Sequence, residues 1–304
     1  MYPLAKTKHM AAATARSSIQ LPFSAAYLLT EAENRDEVLD FLAQQLPHTV
    51  VMSGLIRDNG FVSAANRGSF HGYRDEAGRL TGVALIGHAT FVDTREDAAL
   101  AAFAAIAQRS ESIHMILGKE KLINGFWNYY VNGRGLPRLR LTELLFEQTN
   151  ACESTGPKPA LRLATVADLD SIVPIHAQLA LVESGINPLE LDAAGFRERC
   201  ARRIRKGRVW VWIEDSTLIF KADIASALPE STYMEGLYID PQLRRKGYGL
   251  RTLTELGNIL LQNTKALHVL VNEQNQAGQA LLHRAGYRLR DRYATIFPAT
   301  HETI

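Results

Sequence analysis

Apolar and polar positions along this chain change their spacing repeatedly, and the changes mark out two halves of similar content. In the second half, Leu161 to Ala164 reads as a short strand. Thr165 follows as a candidate N-cap, with Asp168 three residues on, for a helix reaching about Val182. A loop from Glu183 to Pro188 leads to a second helix, about Asp192 to Arg205. Val209 to Ile213 and Thr217 to Ile224 flank the turn Glu214-Asp215-Ser216, and Tyr233 to Ile239 is the next strand. A helical pattern runs from about Leu250 to Gln262. Leu267 to Asn272 reads as a buried strand, a further helix follows Asn275, and a final pair of strands ends at Phe297.

The first half repeats these ingredients. His48 to Leu55 reads as a strand. Phe70 to Tyr73 and Leu80 to His88 flank the turn Asp75-Glu76-Ala77-Gly78. A strand ending near Phe91 precedes an amphipathic helix, Asp97 to Ala107. Ile113 to Leu117 is a strand, Phe126 to Tyr130 lies in another helix, and Leu139 to Phe146 closes the half. Between the halves, Asn150 to Ala160 is polar, proline-bearing and aperiodic, as linkers are. The expected division is therefore 21–149, a linker 150–160, and 161–304. Residues 1–20 carry Lys6, Lys8 and Arg16 but no acid, and they lack a clear amphipathic pattern. They read as a disordered leader rather than a transit peptide.

Composition narrows the class. A chain of 304 residues suits two ordinary domains, and 46% hydrophobic with 22% charged residues is usual for a soluble globular protein. The net charge of +2 is too small to argue for nucleic acid. No apolar run approaches the roughly 20 residues of a membrane span, so no membrane partner is expected. The only two cysteines, Cys152 and Cys200, form no metal or redox motif. No metal is expected, and a reducing cytoplasm is the expected compartment. Oligomeric state is left open.

The chemistry concentrates in Leu237 to Leu250. A β-rich run ends in Asp240-Pro241, and a basic, glycine-punctuated loop then opens a helix. Helix-initial amides without partners, the helix dipole, and Arg244, Arg245 and Lys246 make a site for a pyrophosphate. A nucleotide P-loop is excluded, because no Lys-Ser or Lys-Thr follows a second glycine. A dinucleotide fingerprint is excluded by the spacing. Arg244-x-x-Gly247-x-Gly249 resembles the acetyl-CoA loop of the GNAT N-acetyltransferase superfamily, [QR]-x-x-G-x-[GA]. About 26 residues on, Asn275, Leu281, Gly286 and Tyr287 match a second signature of that superfamily, N-x-x-A-x-x-L-Y-x-x-x-G-F. Gly278 stands where the family usually has Ala. Leu282 replaces the tyrosine that protonates the leaving thiolate.

The resemblance covers about Leu161 to Pro298. It implies an α/β (α+β layered) fold of tandem GNAT-like domains, each a mixed, mostly antiparallel sheet flanked by helices. It also implies an acyltransferase that takes acetyl-CoA as acyl donor and passes the acetyl group to a primary amine, on a small molecule or a protein. The implied donor-binding residues are Leu237, Tyr238, Ile239, Arg244, Arg245, Lys246, Gly247, Tyr248, Gly249, Leu250 and Asn275. Glu235, two residues before the leucine, is the implied catalytic base. On strict alternation it shares a face with Leu237 and Ile239. A cross-strand ion pair with Lys221 is the structural alternative.

For the missing acid, His283, Tyr238, Tyr287 and Tyr293 are candidates, each with a packing role as the alternative. Glu183, Glu190 and Asp192 lie near the expected acceptor pocket. Arg197, Arg199, Arg202, Arg203, Arg205 and Lys206 read as a solvated basic face. The first half resembles the same fold without its phosphate loop, since Val92 to Asp97 has no glycine and three acids. It looks like the N-terminal domain of bacterial tandem GNAT proteins. Residues 161–304 are expected to hold the only acetyl-CoA site and to bind the donor when isolated. The rival readings are a non-catalytic acyl-CoA-binding regulatory protein and, more weakly, a nucleic-acid-associated one.

Overall fold

A computed structural model describes residues 26–31, 35–133, 135–154 and 156–299. The expected leader, 1–20, lies outside them. Among the described residues, twelve strands form one sheet. They are β1 (Ala26–Leu28), β2 (Gly68–Arg74), β3 (Leu80–Gly87), β4 (Ala89–Thr94), β5 (Met115–Lys119), β6 (Leu139–Gln148), β7 (Arg162–Leu163), β8 (Val209–Glu214), β9 (Thr217–Ala227), β10 (Thr232–Ile239), β11 (Leu267–Asn272) and β12 (Arg288–Phe297). The helices are α1 (Arg35–Ala43), α2 (Val50–Asn59), α3 (Asp97–Ala107), α4 (Glu120–Tyr130), α5 (Leu169–Ser184), α6 (Pro188–Arg205), α7 (Tyr248–Leu260) and α8 (Gln276–Arg284). No described helix is long and apolar enough to cross a membrane.

The strand order is β1-β2-β3-β4-β5-β12-β6-β11-β10-β9-β8-β7. Read inward from either edge, it gives four strands, a parallel neighbour, and then the last strand of the opposite half. β6, from the first half, pairs with β11 along six residues, Leu267↔Gln148 to Asn272↔Glu143. β12, from the second half, pairs with β5, Tyr293↔Lys119 to Ile296↔Ile116. β6 and β12 lie antiparallel at the centre, with Glu143↔Tyr293 and Leu145↔Asp291 in register. Each half therefore completes the other's sheet, an exchange that the division into 21–149 and 161–304 did not foresee.

Opposed residues of an antiparallel pair share a face. Ala294 and Ile296 pack with α3 and α4, while Leu144 and Phe146 pack with α7 and α8, so these four helices cover one face. The other face is covered by α1 and α2 over Val83 and Leu85, and by α5 and α6 over Val209 and Val211.

Three readings from the sequence change here. The run at Val50 is a helix, not a strand. It is apolar on both sides because Met52 and Ile56 face the first half's core while Val50 packs on Leu228 and Tyr233 of the second. A short run buried on two sides loses the periodicity that separates helix from strand. Gly54 permits the approach, since a Cβ there would lie 2.2 Å from Ser226 Oγ, whose hydroxyl donates to Val50 O at 2.8 Å. The final pair of strands is one strand, β12, with an irregularity between Leu289 and Asp291. Finally, α6 starts at Pro188, capped by Asn187, and kinks at Asp192. The Thr165–Asp168 capping box forms as expected.

Candidate active site

β10 and β11 run in parallel register only at Thr232↔Leu267, Tyr233↔His268 and Met234↔Val269. Beyond Met234 they part, while β11 stays paired with β6 and β10 with β9. Among the described residues, the edge of β10 that faces the gap, from Glu235 onward, has no ladder partner. A bulge interrupts β10 there: Glu235 opposes Asp223 and Tyr238 opposes Lys221, so three steps on β10 match two on β9. Gly236 carries it with φ +59. The bulge inverts the alternation. Leu237 and Ile239 pack into the core under α7 and α8, whereas Tyr238 packs with α5 and α6, and Glu235 reaches Arg203 of α6. The expectation that Glu235 shares a face with Leu237 and Ile239 fails for this reason.

The loop after β10 is built by its own polar groups. Asp240 accepts from Gln242 N at 2.7 Å and starts a short turn, 241–243. Arg244 folds back to donate from Nε to Ile239 O at 3.1 Å. Arg245 adopts φ +62, and Gly247, the residue before α7, φ +86. The two motif glycines do different work. A Cβ on Gly249 would lie 2.3 Å from Ile239 Cδ1, so Gly249 seats α7 on β10. A Cβ on Gly247 would meet nothing within 4 Å, so Gly247 is required by its backbone and borders open space.

The first amides of α7 face that space without intrahelical acceptors. Among the described residues, Arg244, Arg245 and Lys246 have no ion-pair partner, and all three are exposed. Tyr248 is a packing residue: it stacks on Trp212 at 5.4 Å, with the Arg251 guanidinium 4.9 Å from its ring centre. Leu250 packs against the core. Asn275 caps α8, its side-chain oxygen accepting from Gly278 N at 2.9 Å.

No candidate acid gains a clear role. Leu282 is buried in the core, and His283 lies edge-on to Phe146 at 5.0 Å. Among the described residues, the buried Tyr287 hydroxyl has no hydrogen-bond partner. Tyr293 is hydrogen-bonded to His48 Nδ1.

On the α5/α6 side, Glu235 Oε1 lies 2.7 Å from Arg203. Its expected pair with Lys221 does not form. Lys221 is wholly buried and bound to Asp223 at 2.7 Å. Of the other acids near the loop, Glu190 accepts from Asn187, while Asp192 accepts from Gly195 N and pairs with Arg199. Glu183 has no ion pair among the described residues. Burial first, and then the charges of Glu143 and Glu235, push its carboxyl up to about 7. The residue is exposed by surface area, so solvent screens part of this shift. Glu143, on the exchanged strand β6, was missed by the sequence reading. Its only signal was a polar position among apolar neighbours of a half expected to bind no cofactor. Burial pushes it up, opposed by the hydrogen bond that Thr295 donates.

The basic positions of α6 are largely neutralised, Arg197 by Asp170, Arg205 by Glu198 and Lys206 by Asp58. In the first half, only Arg95 and Glu96 separate β4 from α3, and Glu96 precedes the helix. Asp93 is not at the helix start as expected. It lies in β4, buried, with its carboxyl pushed up to about 6 by desolvation. No glycine-rich turn exists there to present amides to a phosphate.

A sequence profile of the family described as "FR47-like protein" matches residues 223–296, which span the bulge, the loop and both signatures. Its fold is that of the GNAT acetyltransferases. A tandem GNAT protein from the clavulanic acid biosynthesis pathway is similar over 92% of this chain and 99% of its own, at 14% identity and TM-score 0.57. A GNAT-family acetyltransferase from Colwellia psychrerythraea covers 90% and 99%, at 12% identity and TM-score 0.52. A Drosophila protein covers 91% and 99%, at 14% identity and TM-score 0.65. At these identities the likeness concerns the fold. A search of curated protein sequences finds no match.

The raised Glu183 carboxyl predicts a stability that depends on pH. That carboxyl titrates higher in the folded chain than in the unfolded one, so folding favours the protonated form. The resulting stability is complete below the unfolded value of 4.5 and is lost as pH rises through about 7. Melting temperatures across that window should fall less for Glu183→Gln than for the parent. Parallel profiles would mean that solvent screening at the exposed Glu183 cancels the shift.

Proposed function

We propose that this chain is an acetyl-CoA-dependent N-acetyltransferase that acts on a primary amine by direct attack. The observation that carries the reading is the parting of β10 and β11 beside a loop that presents free helix amides at Gly247. Arg244, Arg245, Lys246 and the amides after Gly247 would hold the pyrophosphate. The unpaired edge of Leu237 to Ile239 would take the pantetheine amides, with main-chain N–H near Leu237 and Tyr238 facing the thioester oxygen. Acetyl-CoA supplies a thioester whose carbon the amine attacks, forming an amide as the thiolate departs. With Leu282 in the core, that thiolate leaves without a side-chain acid at this position.

The acceptor side is acidic. Glu183 lies within electrostatic reach of both Glu143 and Glu235, and Arg203 pairs directly with Glu235. This favours an acceptor that is cationic in solution and is deprotonated on the enzyme. Glu235 is the base, and Glu183 shares in removing the proton. Chain-wide exchange of strands means that the first half supplies one of these acids, Glu143.

A thiol-release screen over amines tests the reading. Turnover should require both acetyl-CoA and amine, with cationic amines giving the lower KM. Glu235→Gln should lower kcat by about 10²-fold with little change in acetyl-CoA affinity, the loss shrinking at high pH where the amine is already neutral. A pH-independent loss would instead mark Glu235 as a structural partner of Arg203. The buried Leu282 favours a second reading, a non-catalytic acyl-CoA-binding protein. Tight donor binding with no amine-dependent release would select it.

A further inference from the structure

A buried ion pair lies directly beneath the bulge of β10. Lys221 and Asp223 stand two residues apart on β9 and so point to the same side, under α5 and α6. One oxygen, Asp223 Oδ2, gathers three partners: Lys221 Nζ at 2.7 Å, His176 Nε2 at 2.7 Å and Arg203 at 3.2 Å. The same Arg203 nitrogen that reaches Asp223 continues to Glu235 Oε1 at 2.7 Å. His176 is fixed from its other side by Cys200, with Nδ1 3.2 Å from Sγ. From the strand side, Gly236 closes down on the pair. A Cβ there would lie 2.7 Å from Asp223 Oδ2 and 2.9 Å from Lys221 Nζ.

Stability alone does not explain such a pair. Desolvating two charges costs about as much as their attraction returns, and apolar replacements of similar volume are often neutral or stabilising. What the pair does is geometric. It occupies the position under residue 236, so β10 must bulge over it, and the bulge turns Leu237 to the opposite face. It also sets the direction of Arg203, and through Arg203 the carboxylate of Glu235.

We infer that Asp223 and Lys221 are positioning residues for acyl transfer, which hold through one carboxylate oxygen both the bulged main chain at Gly236–Leu237 and the Arg203–Glu235 pair. The inference rests on the reading of this cleft as the site of transfer. Neither residue touches a reacting atom, and the cofactor loop at residues 240–247 is built independently of them.

Three variants test it: Lys221→Met, Gly236→Ala and their combination. Lys221→Met should lower kcat by 10-fold or more, because misaligned groups lose rate steeply, and should weaken acetyl-CoA binding by calorimetry much less, since the loop at 240–247 stays intact and only the pantetheine-facing edge at Leu237–Ile239 is disturbed. Gly236→Ala should give the same split between binding and turnover. The double variant should be no slower than the slower single one, since both disturb one device. Amide hydrogen exchange over residues 235–238 should quicken in each. Additive losses, an unchanged kcat in a folded but less stable Lys221→Met, or unchanged exchange would each overturn the inference. Should Lys221→Met fail to fold, Gly236→Ala and Asp223→Asn carry the same comparison. If the parent turns over no amine at all, the proposed function has failed. Hydrogen exchange over residues 235–238 still decides whether the pair positions the bulge.

Discussion

A chain cut back to residues 161–304 is expected to lose its native fold and its acetyl-CoA binding, even though both cofactor signatures lie inside it. The fragment keeps β10, the loop and α7 but lacks β6. β11 would become a bare edge, and the cleft it helps to form would have one unsupported wall. Leu144 and Phe146, both buried, leave the core that holds Met234, Leu253, Leu282 and Tyr287, and Leu145 is lost from the opposite face. Three buried side chains of this kind are worth roughly 2 kcal/mol each, about 6 kcal/mol together. A whole domain is stable by only about 5–15 kcal/mol. The fragment also leaves β12 unpaired on both sides. Expressed alone, it should show poorly dispersed amide spectra and no calorimetric signal with acetyl-CoA. Co-expression with residues 26–160, which carry β5 and β6, should restore both. A fragment that folds and binds by itself would show that the exchanged strands are dispensable.

Gly247→Val should weaken acetyl-CoA binding by at least about 10²-fold while the fold persists. Two costs combine. At φ +86 a β-branched side chain is strained by about 1–3 kcal/mol. Its methyl groups would also fill the open side of the loop, where a phosphate must meet the main chain. Losing two hydrogen bonds to a charged group removes roughly 3–6 kcal/mol of affinity, which at 1.4 kcal/mol per decade exceeds the threshold stated. Gly78 supplies the control. It lies in the β2–β3 turn at φ +78, and a Cβ there also meets nothing within 4 Å. Gly78→Val should cost similar stability and leave acetyl-CoA affinity untouched. Equal affinity losses in the two variants would mean that strain alone, not the cofactor loop, is being measured.

The loop before α7 was legible because its construction is local. A strand, a basic glycine loop and a helix start are consecutive in the chain, and a glycine with positive φ before a helix announces itself by residue type. The surroundings of Glu235 were not. Glu235 was found, but its face was wrong, because a bulge set by a buried ion pair on the neighbouring strand broke the alternation. Its partner was wrong too: Arg203 comes from a helix some thirty positions earlier and had read as part of a solvated basic face.

By itself the sequence determined most of the elements, the basic glycine loop before α7 and the lack of such a loop in the first half, since each depends on residues within a turn or two of one another. The tertiary structure decided that Val50 begins a helix, that Glu143 from the first half joins Glu183 and Glu235, and that neither half closes its own sheet. Strand order and bulges are set by which buried surfaces meet across the fold. That pairing is a property of the whole packed chain, so no window of the sequence contains it.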